Sequence, residues 1–551
     1  MRLDPRAPES VLSATTLARC TLVCLALVGY ASAVTAQVAG GPEASATPDT
    51  IRAIEIERQD IFDQDEAEKS WIARLVNALH FTTRPSVVRK ELLFRAGEPY
   101  DSARVAETER NLRSLGIFRR VLIDSVRTDS GLIARVNTKD GWSTRTDFRF
   151  RSSGDEIAFT IRVAEENLLG TASTASFEFR DDPDRSSIEL GFARSRLIAN
   201  AIGVAAVYED RSDGTVASAA VGRPFLSLDS RLSYGVSGTL RDTRVLRFRD
   251  GIRTPSETLR QRRSSARLAG AWALETGASG YLRLGGLGEV RREDFRDDSL
   301  AGPFPETITG VVGPFMHWSR SKFLVTRNFL AFGREEDIDL STTLQLSALV
   351  APRAFGYERD GIGPGVTVRS GTALPLGFAL VEAAANGLFT GAGLDSGSVS
   401  LGGTAVFQLA ERHNVLVHAE AGWLEAPTPG TEFDLGLDYG PRAFRSHAFT
   451  GDRMVFATAE YRYTVIPDLW RFAGIGLAGF VDHGGAWYEG ERRRLGWDAG
   501  VGLRIGLSRD TSLSPIRVDV ARRFAADVES AGWVLVIAKG LAFSLYPSLT
   551  R

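Results

Sequence analysis

The sequence predicts a mainly β protein: a transmembrane antiparallel β-barrel of about sixteen strands, preceded by one small α/β domain. Three observations carry this prediction. Short segments that alternate apolar and polar residues recur over residues 142–551. No run of apolar residues long enough for a membrane-crossing helix follows residue 36. Glycine is abundant, at 55 of 551 residues, and overall apolarity is modest, which suits a barrel because only alternate residues of its strands face lipid.

Residues 1–36 have the three parts of a secretory signal peptide. Three arginines precede an apolar run, Thr21–Tyr30, that is too short to span a bilayer as a helix. Small residues create two cleavage sites, and we expect cleavage after Ala36, with Ala33 as the alternative. Residues 37–50 are small and polar and predict a flexible linker. The mature chain is therefore expected to be exported.

Composition argues against several classes of function. Both cysteines, Cys20 and Cys24, lie in the predicted signal peptide, so the mature chain would have no disulfide, thiolate metal site or cysteine nucleophile. Removing residues 1–36 takes away three Arg, one Asp and one Glu, which changes the net charge from −2 to −3. This small charge gives no argument for a nucleic-acid partner. We expect neither nucleic acid nor a cofactor to bind.

Residues 51–141 predict the small α/β domain. The segment begins with a strand, continues with three stretches at helical spacing and ends with two strands. Ser86 would cap a helix over residues 86–94, and Asp101 or Ser102 would cap the next helix. The order is β-α-α-β-β with an extra helical insertion.

Residues 142–551 predict the barrel. Val501 and Leu503 alternate with Arg504, and Val518 alternates with Asp519, so one face of each strand is apolar and the other is polar. In a barrel the apolar face contacts lipid, whereas a soluble sandwich would bury it; periodicity alone does not separate the two, but export and the number of strands favour the barrel. About 410 residues at roughly 20–27 per strand give 15 to 20 strands, and the even-number rule leads to an estimate of sixteen.

The sequence gives no support for catalysis or metal binding. No Gly-x-Ser-x-Gly pattern occurs, and the six histidines form no metal-binding spacing. His413 and His418 lie five residues apart, on opposite faces of a strand. Acidic pairs such as Glu335-Glu336 are typical of solvated loops. We expect a protein that is not an enzyme.

Two stretches carry the sharpest motifs: Gly440–Arg453, which contains an Arg-Ala-Phe tip, and Gly479–Gly485. They resemble the lumen loop and the facing wall of the BamA/TamA-like superfamily of outer-membrane assembly and translocation barrels, in which an Arg-Gly-aromatic tip pairs with an inward acidic residue. The resemblance implies a loop motif and two lumen partners: Arg442, Ala443 and Phe444, with Asp482 and Glu460. Ala443 replaces the glycine of the family, which predicts a different backbone angle at the tip.

The residue pattern supports this pairing. Gly474 and Gly476 leave the inner face of one strand bare, and the same face ends in Asp482. A guanidinium matches a carboxylate at two points, so we predict that Arg442 lies against this wall. A surface loop with an ordinary arginine is the alternative. In a water-filled lumen the pair would contribute little to stability.

Two further stretches show resemblances. Glu91–Asp101 and Glu109–Phe118 resemble a POTRA domain, which implies a periplasmic domain that binds client strands at a sheet edge. A structural spacer is the alternative. The last strand, predicted over residues 533–545, resembles the C-terminal signal by which barrels are recognised. Its signal residues are Gly540, Phe543 and Leu545.

The resemblance implies where the protein works and on what. It implies the bacterial outer membrane, contact with its lipids, client polypeptides bound at the POTRA domain, and accessory periplasmic proteins. The implied function is to capture clients and to assist their insertion into, or translocation across, the membrane. A passive channel or a structural surface antigen is the alternative. The co-occurrence of the POTRA-like stretch with Arg442 and Asp482 favours client handling.

Overall fold

The computed structural model describes residues 50–543 apart from short gaps. The gaps are residues 129–130, 154–155, 183, 199–201, 226–229, 255–257, 278, 298–305, 328, 330–331, 333–334, 429, 437–438, 471–472, 508–514, 525 and 542. No helix within the described ranges is long and apolar enough to cross a membrane. The predicted signal peptide, residues 37–49 of the linker and Leu545 lie outside the described residues.

Residues 51–140 form a small α/β domain. Its elements are β1 (Ile51–Gln59), α1 (Gln64–Lys69), α2 (Trp71–Leu79), α3 (Pro85–Glu91), α4 (Ser102–Ser114), β2 (Phe118–Thr128) and β3 (Gly131–Asp140). Strand β3 lies in the middle of the sheet, parallel to β1 and antiparallel to β2. The helices bury an apolar core against this sheet, with Val88, Leu112 and Val136 fully enclosed. Strands β1 and β2 are therefore the two edges of the sheet.

Local sequence explains where these helices begin. The Asp101 carboxylate accepts hydrogen bonds from the backbone N–H groups of Ala103 and Arg104, at 2.8 and 3.3 Å, and so caps α4. The predicted cap at Ser86 is wrong. Helix α3 begins one residue earlier, at Pro85, whose fixed φ suits a first helical turn and whose missing N–H needs no partner.

The remaining chain is almost entirely strand. In chain order the strands are β4 (Thr144–Ser153), β5 (Glu156–Glu165), β6 (Thr174–Asp181), β7 (Ser186–Ile198), β8 (Ile202–Arg211), β9 (Gly214–Arg223), β10 (Leu232–Val245), β11 (Phe248–Arg249), β12 (Ile252–Arg253), β13 (Leu259–Gly277), β14 (Gly280–Asp297), β15 (Thr307–Arg320), β16 (Phe323–Arg327), β17 (Glu335–Asp339), β18 (Thr342–Ala351), β19 (Gly361–Leu374), β20 (Gly377–Thr390), β21 (Gly393–Ala410), β22 (His413–Glu425), β23 (Phe433–Leu435), β24 (Phe449–Gly451), β25 (Arg453–Leu469), β26 (Ala473–Trp487), β27 (Gly496–Leu507), β28 (Ile516–Arg523) and β29 (Gly532–Lys539).

Within the described part of the chain, twenty of these strands form a closed antiparallel barrel. The other six form three small hairpins: β11–β12, β16–β17 and β23–β24. The estimate of sixteen strands is therefore corrected to twenty. The estimate assumed long connections, whereas several neighbouring strands join through tight turns such as residues 212–213 and 375–376.

The apolar residues of the strands point outward and the polar residues point inward, as the sequence predicts. Val501 and Val520 point outward and are 67% and 44% exposed, whereas Arg504 and Asp519 point into the lumen and are buried. Apolar residues on the outer surface and charged residues inside are the arrangement of a barrel in lipid. The lumen face is consequently where polar side chains meet.

The barrel has two distinct ends. We call the end beside the small domain the proximal end and the opposite end the distal end. At the proximal end, the Asn167 amide donates to the carbonyl oxygen of Phe81 at 3.3 Å and to the Thr83 hydroxyl at 2.9 Å. Arg196, near the end of β7, pairs with Glu91 of the small domain at 2.7 Å. The domain is thus attached to the barrel rim by polar contacts.

Among the described residues, the seam between β29 and β4 closes the barrel with three residue pairs, Leu535 to Ile537 against Phe150 to Ser152. The neighbouring β28–β29 pairing runs the whole length of β29. The predicted last strand over 533–545 is wrong at its end, because β29 stops at Lys539. Gly540 then adopts a φ of +93°, which glycine accommodates without strain, and Phe543 turns into the lumen.

Candidate functional site: a buried charge cluster in the lumen

The connection between β22 and β25 starts at the distal end and folds back into the barrel. We call residues 439–451 the lumen loop. Gly440 makes the turn possible with a φ of +117°, and a Cβ at this position would lie 3.0 Å from the Leu435 Cβ. The turn directs Arg442 toward the inner face of β26, and only 2% of this arginine is exposed.

The Arg442 guanidinium contacts both partners that the resemblance implies. Its Nε and Nη2 donate to the two carboxylate oxygens of Asp482, at 2.7 and 3.2 Å, which is a two-point contact. Its Nη1 donates to Glu460 Oε2 at 3.2 Å. The backbone N–H of Arg442 also donates to Asp482, at 3.3 Å. The loop tip is therefore held to the wall by its side chain and by its backbone.

Further contacts complete the environment of this arginine. Nη1 also donates to Asp519 Oδ2 at 3.2 Å, and Nη2 donates to the Thr458 hydroxyl at 3.4 Å. The ring of Phe480 lies beneath the guanidinium, 3.7 Å from its central carbon to the ring centroid. A cation stacked on an aromatic face gains additional electrostatic stabilisation. Side chains from three strands, β25, β26 and β28, thus contact the Arg442 guanidinium.

Other arginines connect the same carboxylates. Arg462 donates to Glu460 at 2.6 Å, and Arg504 donates to Asp519 at 2.5 Å and to Glu460 at 3.1 Å. Arg517 donates to Asp519 at 3.1 Å. The alternation of the sequence places Asp519 and Arg504 on polar strand faces but does not connect them with the loop. The sequence indicates that both side chains point inward. It does not give the register between the strands, which decides whether they lie beside Arg442.

The charge cluster is buried. Asp482 and Asp519 are fully buried, and Arg504 is 2% exposed. The expectation of a hydrated pair is therefore wrong, because several strands and the loop enclose the carboxylates together. Charges of opposite sign in a dry interior roughly offset their own desolvation, but removal of one partner strands the others. The cluster consequently fixes the position of the loop.

Ala443 and Phe444 complete the loop motif. The Ala443 N–H donates to Asp498 Oδ2 at 3.0 Å, and its carbonyl oxygen accepts from Arg523 at 2.9 Å. The φ angle of Ala443 is not positive, so the different backbone angle predicted for the loop tip is not found. Phe444 is fully buried and packs against Phe449, with ring centroids 5.0 Å apart. The motif thus combines a charged tip with an apolar anchor.

Phe332, and not Arg442 as predicted, contacts the glycine-rich inner face of β26. A Cβ on Gly474 would lie 2.2 Å from the Phe332 Cβ, and a Cβ on Gly506 would lie 2.5 Å from a ring carbon of the same residue. Phe332 belongs to the connection between β15 and β18, which enters from the proximal end. Arg442 lies further along β26, at Asp482. The two ends of this strand therefore bind two different inserted segments.

The distal ends of the loops interlock around His447. Its two ring nitrogens hydrogen-bond the carboxylates of Asp434 and Asp184, and its ring stacks on Phe248 with centroids 3.8 Å apart. Burial alone would lower the pKa of His447, but the two carboxylates outweigh burial and raise this pKa to about 10. A protonated His447 thus ties the lumen loop to two other distal connections.

The last-strand residues reach the same lumen. The Phe543 ring stacks on His418 with centroids 4.0 Å apart, and the His418 Nδ1 lies 2.8 Å from the Thr404 hydroxyl. His418 Nε2 lies 3.7 Å from Glu420, and both groups are buried. Across the described ranges, no group of three or more His, Cys, Asp or Glu side chains is arranged to hold a metal.

One segment of the chain matches a known protein family. Residues 436–533 match the Omp85 superfamily domain, and the charge cluster from Arg442 to Asp519 lies wholly within that segment. The resemblance drawn from the sequence is confirmed by this match.

Individual relatives are distant. The chain is similar to the outer membrane protein assembly factor BamA of Neorickettsia risticii (strain Illinois), with 27% identity over 182 residues. The match covers 31% of this chain and 24% of that relative, so it spans about a quarter of the relative's length. Among solved structures, BamA from Haemophilus ducreyi lacking POTRA domains 1–3 has a TM-score of 0.40 and 11% identity, covering 89% of this chain and 84% of that chain. CdiB from Escherichia coli has a TM-score of 0.44 and 13% identity, covering 97% and 100%.

Proposed function

We propose that this protein resides in the bacterial outer membrane and assists client polypeptides to insert into, or cross, that membrane. In this proposal the 51–141 domain is a POTRA domain in the periplasm, and it captures the clients. The barrel contacts outer-membrane lipids, and accessory periplasmic proteins assist the domain. The protein is not an enzyme. The single observation that carries the proposal is the Arg442 cluster, which a passive channel does not need, within an Omp85 superfamily domain.

The small domain offers a surface for capture. Within the described residues, neither β1 nor β2 pairs with a further strand, so one side of each is an edge of the sheet. An extended client segment can add to such an edge with little demand on its sequence. Leu122 on β2 and Trp71 on helix α2 are 42% and 68% exposed. Exposed apolar residues on this domain suit unfolded polypeptides.

The seam between β29 and β4 offers a route toward lipid. Within the described ranges, three residue pairs hold it, against eight between β28 and β29. We propose that the seam opens sideways or accepts a client strand. The turn at Gly540 contributes, because it ends β29 early and leaves the proximal part of β4 without a partner on that side.

Photocrosslinking tests capture. A photoreactive amino acid replaces Leu122 on the edge strand in the full chain, and the control replaces Ser114, which is exposed on α4. We expect crosslinks to exported polypeptides from position 122 and few from position 114. Equal yields at both positions would contradict capture at the sheet edge.

A disulfide lock tests the seam. The pair Val536→Cys with Arg151→Cys joins opposite residues of β29 and β4, and the control pair Val520→Cys with Leu535→Cys joins β28 to β29. We expect oxidation to stop client handling in the first variant and to leave the control variant active. Full activity of the oxidised seam variant would rule out lateral opening.

A further inference from the structure

One connection at the proximal end is far longer than its neighbours. Residues 321–341 join β15 to β18, whereas residues 375–376 and 411–412 are the whole of two other proximal connections. We call the described residues of this connection the plug hairpin; they are β16, β17, Phe329 and Phe332. Long structured insertions in otherwise tight turns usually have a specific role. Phe329 and Phe332 of this one contact the inner wall of the barrel.

Phe329 anchors the hairpin in the lumen. It is 4% exposed and meets Phe378 edge to face, with ring centroids 5.2 Å apart. Its backbone is satisfied on both sides: its N–H donates to Glu336 at 2.9 Å, and its carbonyl oxygen accepts from Arg462 at 3.1 Å. Glu336 is 1% exposed, so the interpretation of Glu335-Glu336 as solvated loop charges is wrong for Glu336.

Phe332 fills a slot that only glycine permits. A Cβ on Gly474, Gly476 or Gly506 would lie 2.2, 3.2 or 2.5 Å from Phe332 atoms. The cavity that remains between Phe329, Phe332 and the wall has a volume of about 20 Å³, which is room for about one water. The wall and the ring are therefore complementary in shape, and the contact is closely packed.

The plug hairpin and the lumen loop share a carboxylate. Arg462 donates to the Phe329 carbonyl oxygen and also to Glu460, which accepts from Arg442 of the lumen loop. The two inserted segments enter from opposite ends and meet through this chain of contacts. The base of the hairpin is fixed separately, because Asp339 pairs with Arg369 of β19 at 3.0 Å. The tip can therefore leave the wall while the base stays attached.

We propose that the plug hairpin is a gate that closes the proximal end of the lumen, and that its release loosens the lumen loop through Arg462 and Glu460. Withdrawal of Phe329 and Phe332 removes the apolar contacts and exposes the Arg462 guanidinium to water. Glu460 then loses a fixed partner, which weakens the site that holds Arg442. This proposal concerns the barrel alone and does not require a client.

Conductance in planar lipid bilayers tests the gate. The purified full chain carries Phe329→Ala with Phe332→Ala, and the control carries Phe323→Ala with Val325→Ala, which alter the exposed face of the same hairpin. We expect a severalfold higher open-channel conductance in the first variant and native conductance in the control. Heat-modifiable migration on gels verifies that both barrels are folded. Native conductance in the first variant, or an equal rise in the control, overturns the proposal.

A second pair of variants leaves the hairpin sequence intact. Gly474→Ala adds a methyl group that collides with Phe332, whereas Gly479→Ala on the same strand meets nothing within 4 Å. We expect Gly474→Ala to raise conductance and to make the lumen loop sensitive to protease added at the distal side, and we expect Gly479→Ala to do neither. Higher conductance with an unchanged, resistant loop would overturn the coupling through Glu460 and retain the plug alone.

Discussion

The lumen loop and the plug hairpin reach the same wall by opposite means. The loop enters from the distal end and is held by charge, with Arg442 bonded to Asp482 at two points. The hairpin enters from the proximal end and is held by shape, with Phe332 against glycines of β26 and β27. Charge contacts specify one position strongly and fail when one partner is lost. Aromatic packing depends on filled volume and tolerates a graded loss. Strand β26 therefore holds two inserted segments in two ways. We call the Arg442–Asp482 contact the strict anchor and the Phe332 contact the yielding anchor.

Loss of the strict anchor should have the largest effect. Arg442→Ala leaves buried carboxylates without their shared cation, which costs about 3–5 kcal/mol for a fully buried partner. We expect a lower free energy of unfolding and a lumen loop that proteases cleave, in a barrel that still folds. Denaturant titration in detergent and limited proteolysis are the measurements.

A double-mutant cycle measures the interaction between Arg442 and Asp482 separately from their other contacts. Asp482→Ala should resemble Arg442→Ala, and the combined variant should be no worse than either single variant, because one shared interaction is lost once. Strictly additive losses would show that the two residues act independently and would remove the contrast with the hairpin.

The yielding anchor should respond less. Phe332→Leu keeps an apolar side chain of similar volume in the glycine slot, so we expect a loss of about 1 kcal/mol in the free energy of unfolding. Conductance should rise less than in the double alanine variant of the plug hairpin. A loss as large as that of Arg442→Ala would show that shape holds this hairpin as strictly as charge holds the loop.

The smallest effect concerns pH at the distal side. The pKa of His447 is raised from an ordinary value of 6.5 to about 10, so its stabilising contribution is complete below about pH 6.5 and is lost as the pH rises through about 10. We expect the lumen loop to become modestly more sensitive to protease above pH 10, while the plug hairpin is unchanged. His447→Gln should be sensitive at every pH. A native profile in His447→Gln would contradict the role of this contact.

The sequence predicted the two anchors unequally. Asp482 and Glu460 lie at alternating inward positions of their strands, and the resemblance to the family's loop motif connected Arg442 with them. Phe332 was not predicted, since an aromatic residue in a long connection shows no periodicity, and the bare glycines were assigned to the wrong occupant. Shape complementarity between segments distant in sequence appears only once the barrel register is known.

Strand number and strand ends show the same limit. Alternation identifies a barrel strand but does not reveal how short its connections are, which is why sixteen strands were expected and twenty are found in the described part of the chain. The inward turn at Gly540 also breaks the pattern of β29. The sequence continues to alternate apolar and small residues there, so it predicts a longer strand than the fold retains.

The short seam has a mechanical consequence. A membrane under lateral tension pulls evenly on the circumference of the barrel, and a closed wall yields first where the fewest cross-links resist. In the part of the chain that the structure describes, three residue pairs join β29 to β4, whereas fourteen join β10 to β13 on another part of the cylinder. The pairing between β29 and β4 is therefore the place where the barrel wall separates most easily. Stretching the bilayer should widen the barrel there before any other part of the circumference deforms.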